Sequence, residues 1–451
     1  MSAVAPAAPE PRLTRFAAAA FWLLPPLLCL ILYRRGLTAW FQADDFAWLS
    51  LRLQVHDMRS LLHALFAPMA QGTIRPWSER AFFLALESIF GVNALPFRIC
   101  VFLTQCANLT LLAAITRRLT GSRLAGFSAA ILWLVNNSLA WPMVWTSVYN
   151  EILCGFFLMS AFWFLLRHIE TGQRRYAQWQ WVLFLLGFGA LELNVVYPAL
   201  AALYTYLCAR RFFRTTLPLF LPSAIFAIAD RMVIPALHSG PYALHFDRAI
   251  PATLLAYVYR ALVPLQVDQI KGGADVLLAC LLGAVLVGFT VLRIRHRDWL
   301  PLFCLGWFVI LLAPVLPLRD HISTYYGTLP SIGLAMLAAY ALASAWRSGI
   351  GWGVPAVLLA AAYAVTMISA DRSRSPGGPT VHGLNHNQLD PNPPPLVDLG
   401  NPLFAYLLGP EWYAPEEGFR WMPRRATLRM AGPHSRSDRL YLNGFCPPAE
   451  V

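Results

Sequence analysis

Two adjacent carboxylates, Asp44 and Asp45, stand in the run Phe41-Gln42-Ala43-Asp44-Asp45-Phe46, just beyond the first long apolar stretch. Neighbouring carboxylates at a membrane boundary repel each other and favour hydration, a cation or a protonated partner. One of them can serve as general base towards an acceptor hydroxyl. Both can ligate a divalent cation such as Mg or Mn, and the plainer alternative is a solvated loop that ends a helix. Arg75 lies in Thr73-Ile74-Arg75-Pro76-Trp77, with Glu79 and Arg80 following. A guanidinium held by the following proline suits a lipid phosphate, which it binds bidentately; an ordinary interfacial arginine is the competing reading. A third cluster, Leu318-Arg319-Asp320-His321-Ile322-Ser323-Thr324-Tyr325-Tyr326, crowds Arg319, His321 and Tyr325 into one short loop that can hold a phosphate and a sugar face. Glu192, with Asn194 two residues on, completes the set, while Glu151 and Asp230 sit near membrane edges, where ionisable groups are costly.

The elements that must position these residues are membrane helices. The 451-residue chain is 58% hydrophobic and only 13% charged, with mean hydropathy +0.53, a surplus of apolar surface that a soluble core of this size cannot hide. The net charge of +12 does not point to nucleic acid, because Lys271 is the single lysine and no basic run occurs. Walker, dinucleotide-binding, HExxH and GxSxG patterns are absent, so ATP-driven transport has no support. The eight cysteines form no metal-ligand or disulfide pattern; the seven in apolar segments read as buried small hydrophobes.

Apolar runs predict spans near 16–33, 97–116, 124–140, 145–166, 216–234, 276–292, 300–317, 327–346 and 352–369. The stretch 179–209 is bracketed by arginines at both ends, Arg174 and Arg175 before it and Arg210, Arg211 and Arg214 after it, so it reads as a hairpin of two short helices turning near Asn194. This makes about eleven spans. With the N-terminus cytoplasmic, the inner segments carry Arg12, Arg15, Arg117, Arg118, Arg123, Arg167, Arg174, Arg175, Arg210, Arg211, Arg214, Arg293, Arg295, Arg297 and Arg347, against Glu10, Glu170 and Asp298. This asymmetry orients the chain, and the whole excess of +12 is an orientation signal. The C-terminus then lies outside, and the expected location is the inner (plasma) membrane.

The predicted layout is a cytoplasmic N-terminus at 1–15, a transmembrane domain at 16–370 with its first outer loop at 34–96, a Pro/Asn-rich extracytoplasmic linker at 371–411 and a short, incomplete β-rich tail at 412–451. Within the outer segments, 46–66 reads as helices lying along the interface, and 251–268 reads either the same way or as a re-entrant or twelfth segment. In the tail, Phe419–Met422, Ala426–Met430 and Leu440–Phe445 read as short strands.

Taken in order, these stations resemble the GT-C superfamily of membrane glycosyltransferases, and within it the protein O-mannosyltransferase-like proteins and their bacterial relatives. The resemblance spans roughly 16–370. It is carried by Asp44–Asp45 after the first span, Arg75–Pro76 followed by Phe90-Gly91-Val92, Trp145 with Asn150–Glu151, Glu192 followed by Pro198, and Pro314-Val315-Leu316-Pro317 leading to Tyr325, Tyr326 and Leu329-Pro330-Ser331. It implies a polyprenyl-phosphate-linked sugar donor, an extracytoplasmic protein or glycan acceptor, and transfer with inversion. By position, Asp44 or Asp45 matches the catalytic carboxylate, and Arg75 and Arg319 match groups that grip the departing phosphate. Relatives often carry Lys where this chain has Leu191. The readings set against this enzyme are a glycolipid transporter or flippase and an inactive assembly partner.

Overall fold

Runs rich in Leu, Ala and Phe fold as helices because a bilayer leaves no other partner for their backbone amides. The computed structural model describes residues 15–42, 44–68, 73–233, 242–263 and 273–373, with scattered residues between 395 and 441. Helix α1 (Arg15–Leu32) leads to the first outer segment, with α2 (Asp45–Ser50), α3 (Met58–Phe66) and α4 (Phe82–Phe90). Then follow α5 (Ala94–Thr120), α6 (Arg123–Leu134), α7 (Tyr149–Thr171), α8 (Arg174–Gly187), α9 (Tyr197–Cys208), α10 (Phe213–Thr216) and α11 (Phe220–Val233). After α12 (Ile250–Leu262) come α13 (Gly273–Arg295), α14 (Leu300–Leu312), α15 (Ser331–Arg347) and α16 (Ile350–Ser373). The chain is an all-α polytopic membrane protein.

The hairpin expected over 179–209 is present as α8 and α9. At its turn the Asn194 amide donates to the Phe184 carbonyl at 2.7 Å. Amphipathic 46–66 becomes α2, a 3-10 turn and α3, and Asp57 caps α3 by accepting from the Ser60 amide at 2.7 Å. Residues 251–263 form α12; the remainder of the predicted segment to 268 lies outside the described residues.

Five helical stretches are long and apolar enough to cross a bilayer unaided, among them Ala94–Thr120 and Thr146–Thr171. Others are shorter than their apolar runs promised: α6 has 12 residues, α9 has 12 and α14 has 13. Their outer ends dissolve into 3-10 turns and buried loops, notably 135–148 and 188–196. Irregular backbone at such depth is tolerated only against protein, and here it is wrapped by α5, α7 and α15, whose side chains, with Trp133, Phe162 and Trp307, fill the core. Helices α11, α13 and α16 instead present Leu221, Ile225, Leu277, Val287, Leu358 and Val365 outward as a lipid-facing surface.

Two expectations need correction. Cys29, Cys154 and Cys304 are buried and Cys100 and Cys106 partly so, but Cys208 and Cys280 are exposed on the bundle's outer surface, which in a membrane is itself apolar. The tail is less regular than predicted. Residues β1 (Pro415–Glu416) and β2 (Phe419–Arg420) make a two-residue antiparallel pair. Within 426–430 there is only a bridge from Leu428 to Leu408, because Pro423 and Pro433 interrupt the ladder. Leu440 and Tyr441 carry no strand, and 442–445 lie outside the described residues. The tail rests on the first outer loop, with Trp421 stacked on Phe46 at 5.9 Å and Arg424 over the Trp40 ring at 5.5 Å.

Candidate active site

The two aspartates are separated by their surroundings. Asp45, fully buried, opens α2 and accepts from the Gln42 amide at 3.0 Å through one oxygen. Its other oxygen accepts from both the amide and the hydroxyl of Ser147 at 2.6 Å. Burial pushes its carboxyl up, opposed by the charge of Arg98 and by these hydrogen bonds. Arg98, also fully buried, donates to the Trp40 carbonyl at 3.1 Å. Asp45 thus pins the loop after α1 to the turn before α7. Asp44 occupies the cap position of α2 without capping it, is exposed, and has no hydrogen-bond partner for its carboxylate among the described residues. Although its side chain is exposed, desolvation by the surrounding recess raises its carboxyl above the usual range, and the positive charge of Arg75 works against the rise.

Arg75 precedes a single π-helical turn, Pro76–Ala81, a widened geometry frequent at functional sites. The turn is docked on the tip of the α8–α9 hairpin: the Trp77 amide donates to the Gly189 carbonyl at 2.9 Å and the Ser78 hydroxyl to the Ala190 carbonyl at 2.6 Å. Gly189 has to lack a side chain, since a Cβ there would lie 2.0 Å from Nε1 of Trp77. So held, Arg75 donates from Nε to both oxygens of Glu192 at 3.0 and 2.9 Å, and from Nη1 to Glu79 at 2.5 Å. Its second terminal nitrogen, Nη2, makes no contact among the described residues.

Glu79 is buried and pushed up by that burial, with Arg75 opposing. One of its oxygens also accepts from the Asn150 amide at 3.2 Å, and the other is unpartnered. Glu151, the next residue, is buried with Oε2 unpartnered and senses the charges of Arg75 and Glu192.

The structure therefore brings Asp44, Arg75, Glu79 and Glu192 together. Next to them is an aromatic wall: Trp145 meets Tyr325 edge-on at 6.3 Å, Tyr325 meets Tyr326 at 4.7 Å, and His321 lies 4.6 Å from Tyr242. Tyr242 is close enough to feel the charges of both Asp44 and Arg75, linking the wall to the carboxylates. Burial lowers the His321 imidazole from its ordinary value. Arg319 is not part of this group. It pairs with Asp247 and, at 3.7 Å, with Asp320, on the exposed rim. Sequence reasoning missed Ser147, Arg98 and Asn150, the residues that fix the site; only Asn150, beside Glu151, stood in a noted motif. Among the described residues no three His, Cys, Asp or Glu side chains gather in a metal-ligating group.

Beside Arg75 runs an apolar groove of about 430 Å³ lined by Ile74, Trp77, Leu185, Phe188 and Phe226. A charged recess thus stands at one end of a membrane bundle, flanked by an apolar groove, and part of the chain is similar to membrane glycosyltransferases. More particularly, a model of the family described as dolichyl-phosphate-mannose-protein mannosyltransferase matches residues 79–238, from Glu79 to just past α11. The match bears out the resemblance to O-mannosyltransferase-like proteins of the GT-C superfamily and supports a polyprenyl-phosphate sugar donor. No curated protein and no solved structure matches the chain significantly.

Proposed function

We propose that the protein transfers a sugar, mannose by the description of the matched family, from a polyprenyl phosphate to a hydroxyl of an extracytoplasmic protein or glycan, with inversion at the anomeric carbon. The observation that carries this reading is Asp44, a carboxylate with no hydrogen-bond partner among the described residues, within reach of the charge of an arginine whose Nη2 also has none there. Asp44 takes the proton of the acceptor hydroxyl, and the freed oxygen pair forms the bond to the anomeric carbon. The bond from that carbon to the phosphate oxygen breaks, and the polyprenyl phosphate departs with the electron pair. Nη2 of Arg75 steadies the charge that develops on the phosphate, the electrostatic half of the reaction. A single displacement of this kind inverts the centre.

The raised carboxyl of Asp44 makes it a stronger base than an ordinary solvated carboxylate. The groove lined by Trp77, Leu185 and Phe226 supports the isoprenoid chain, while Trp145 and Tyr325 offer ring faces to the sugar. Glu79 and Glu192 are positioning residues that aim Arg75. The reading gives the aspartates no shared cation, since Asp45 spends both oxygens on Gln42 and Ser147. It sets the enzyme in the inner membrane, with the N-terminus cytoplasmic and the site outside.

The test is transfer from decaprenyl-phosphate mannose to an envelope extract by Asp44→Asn and Asp45→Asn, each purified. Asp44→Asn is expected to keep its unfolding temperature and lose transfer by about 10²–10⁴-fold, the range for a removed general base. Asp45→Asn is expected to lose stability first. Full transfer by a folded Asp44→Asn protein overturns the assignment, and absence of transfer by the unaltered chain favours the transporter or partner reading.

A further inference from the structure

At the end of the bundle opposite Arg75 lies a second groove, of about 570 Å³. It runs between α1, α5 and α7 and is lined by Trp22, Thr110, Leu111, Ala114 and Trp163, with Arg117 and Arg118 at its head. From Thr110 to Arg118 the helix advances roughly 12 Å at 1.5 Å per residue, enough to lay out eight or so methylenes of an acyl chain. The wall is apolar: the Thr110 hydroxyl is spent on the Cys106 carbonyl at 2.9 Å.

The charge at the head is unbalanced. Arg118 is gripped through two nitrogens by Glu170 and lies 4.9 Å over the Trp163 ring, and Arg167 approaches the same Glu170 at 3.7 Å. Arg117 has no carboxylate among the described residues; its one recorded neighbour is the Phe21 ring at 6.0 Å. Its backbone is fixed by close packing on α6, where a Cβ on Gly126 would lie 2.9 Å from the Arg117 Cβ. Arg118 and Arg167 thus share one carboxylate while Arg117, at the groove head, has none among the described residues.

We infer that this groove binds an anionic phospholipid of the arginine-rich leaflet, its phosphodiester on Arg117 and the outer edge of Arg118, one acyl chain along Leu111, Ala114 and Trp163. Guanidinium forks match phosphate oxygens, tryptophans sit at headgroup depth, and basic pockets between helices at this boundary are suited to anionic headgroups. The site is independent of the transfer reaction, separated from Arg98 at the other end of α5 by roughly 30 Å along the helix.

The experiment is native mass spectrometry of the detergent-solubilised full chain titrated with phosphatidylglycerol or phosphatidylcholine, with thermal unfolding as a second readout. Phosphatidylglycerol is expected to bind at least tenfold more tightly and to raise the unfolding temperature. Arg117→Gln is expected to weaken it by about tenfold, the order for one charge-assisted contact. Ala114→Trp, which fills the groove without touching a charge, is expected to reduce retention of the same lipid. Equal retention of the two lipids, or retention indifferent to both substitutions, overturns the inference. Stabilisation by inorganic phosphate equal to that by phosphatidylglycerol overturns the lipid in favour of a small-anion site.

Discussion

Arg75 and Arg319 are both arginines held between two carboxylates in segments that link membrane helices, yet their settings differ. Arg75 has a side chain 21% exposed and faces Glu79 and Glu192, 2% and 23% exposed. Arg319 is 40% exposed, against 40% for Asp247 and 53% for Asp320. The Coulomb energy of a pair grows as water withdraws, and so does the cost of breaking it. The same residue types therefore make a fixed, half-buried cluster at Arg75 and a solvated rim at Arg319. What separates them is the packing beneath: Arg75 rides on a π turn bolted to the α8–α9 tip, whereas Arg319 leaves a short loop with little covering it.

The comparison breaks if the two arginines prove equivalent. Arg75→Gln strands one buried and one half-buried carboxylate, so it is expected to destabilise the protein by about 3 kcal/mol and to cut transfer by about 10²–10³-fold, the loss typical of one removed oxyanion donor. Thermal unfolding and turnover measured together check both. Gly189→Ala is the next largest effect: the added methyl meets Trp77 and is expected to cost about 1–3 kcal/mol, as overpacking does, with a smaller fall in transfer because Arg75 is displaced and not removed.

A pH profile sharpens the contrast. Asp44 acts as base only when ionised, and burial holds its carboxyl above the usual range, so transfer is expected to rise with pH on a limb lying above that of an ordinary carboxylate. Arg75 counters the burial. In any Arg75→Gln protein with residual activity, the limb should therefore move to still higher pH, while Arg319→Gln leaves it in place. Arg319→Gln is the smallest change, expected to stay within about 1 kcal/mol in stability and to vanish at high salt, as exposed pairs do.

Much of this was legible beforehand. Arginines on both sides of 179–209 predicted the α8–α9 hairpin, because a single span would have placed one basic cluster on the wrong face. Asp44, Arg75 and Glu192 stood out as charges at membrane edges, where chance polar residues are expensive. The partners that tell Asp44 from Asp45 were not legible: Ser147 is 102 residues away and Arg98 is 53, and neither lies in a motif that points back. The tail misled for a local reason. Alternation in Phe419–Met422 and Ala426–Met430 satisfied a strand pattern, but prolines and missing partner strands left it only bridges.

Composition by itself determined that this chain is a helical membrane protein, and arginine placement foretold the α8–α9 hairpin, because transfer free energies act residue by residue and need no partner. The division of labour within Asp44–Asp45, and the choice of Arg75 over Arg319, were decided only by tertiary structure. Those properties depend on which distant groups exclude water and supply hydrogen bonds at a few ångströms, and chain order does not encode that spacing.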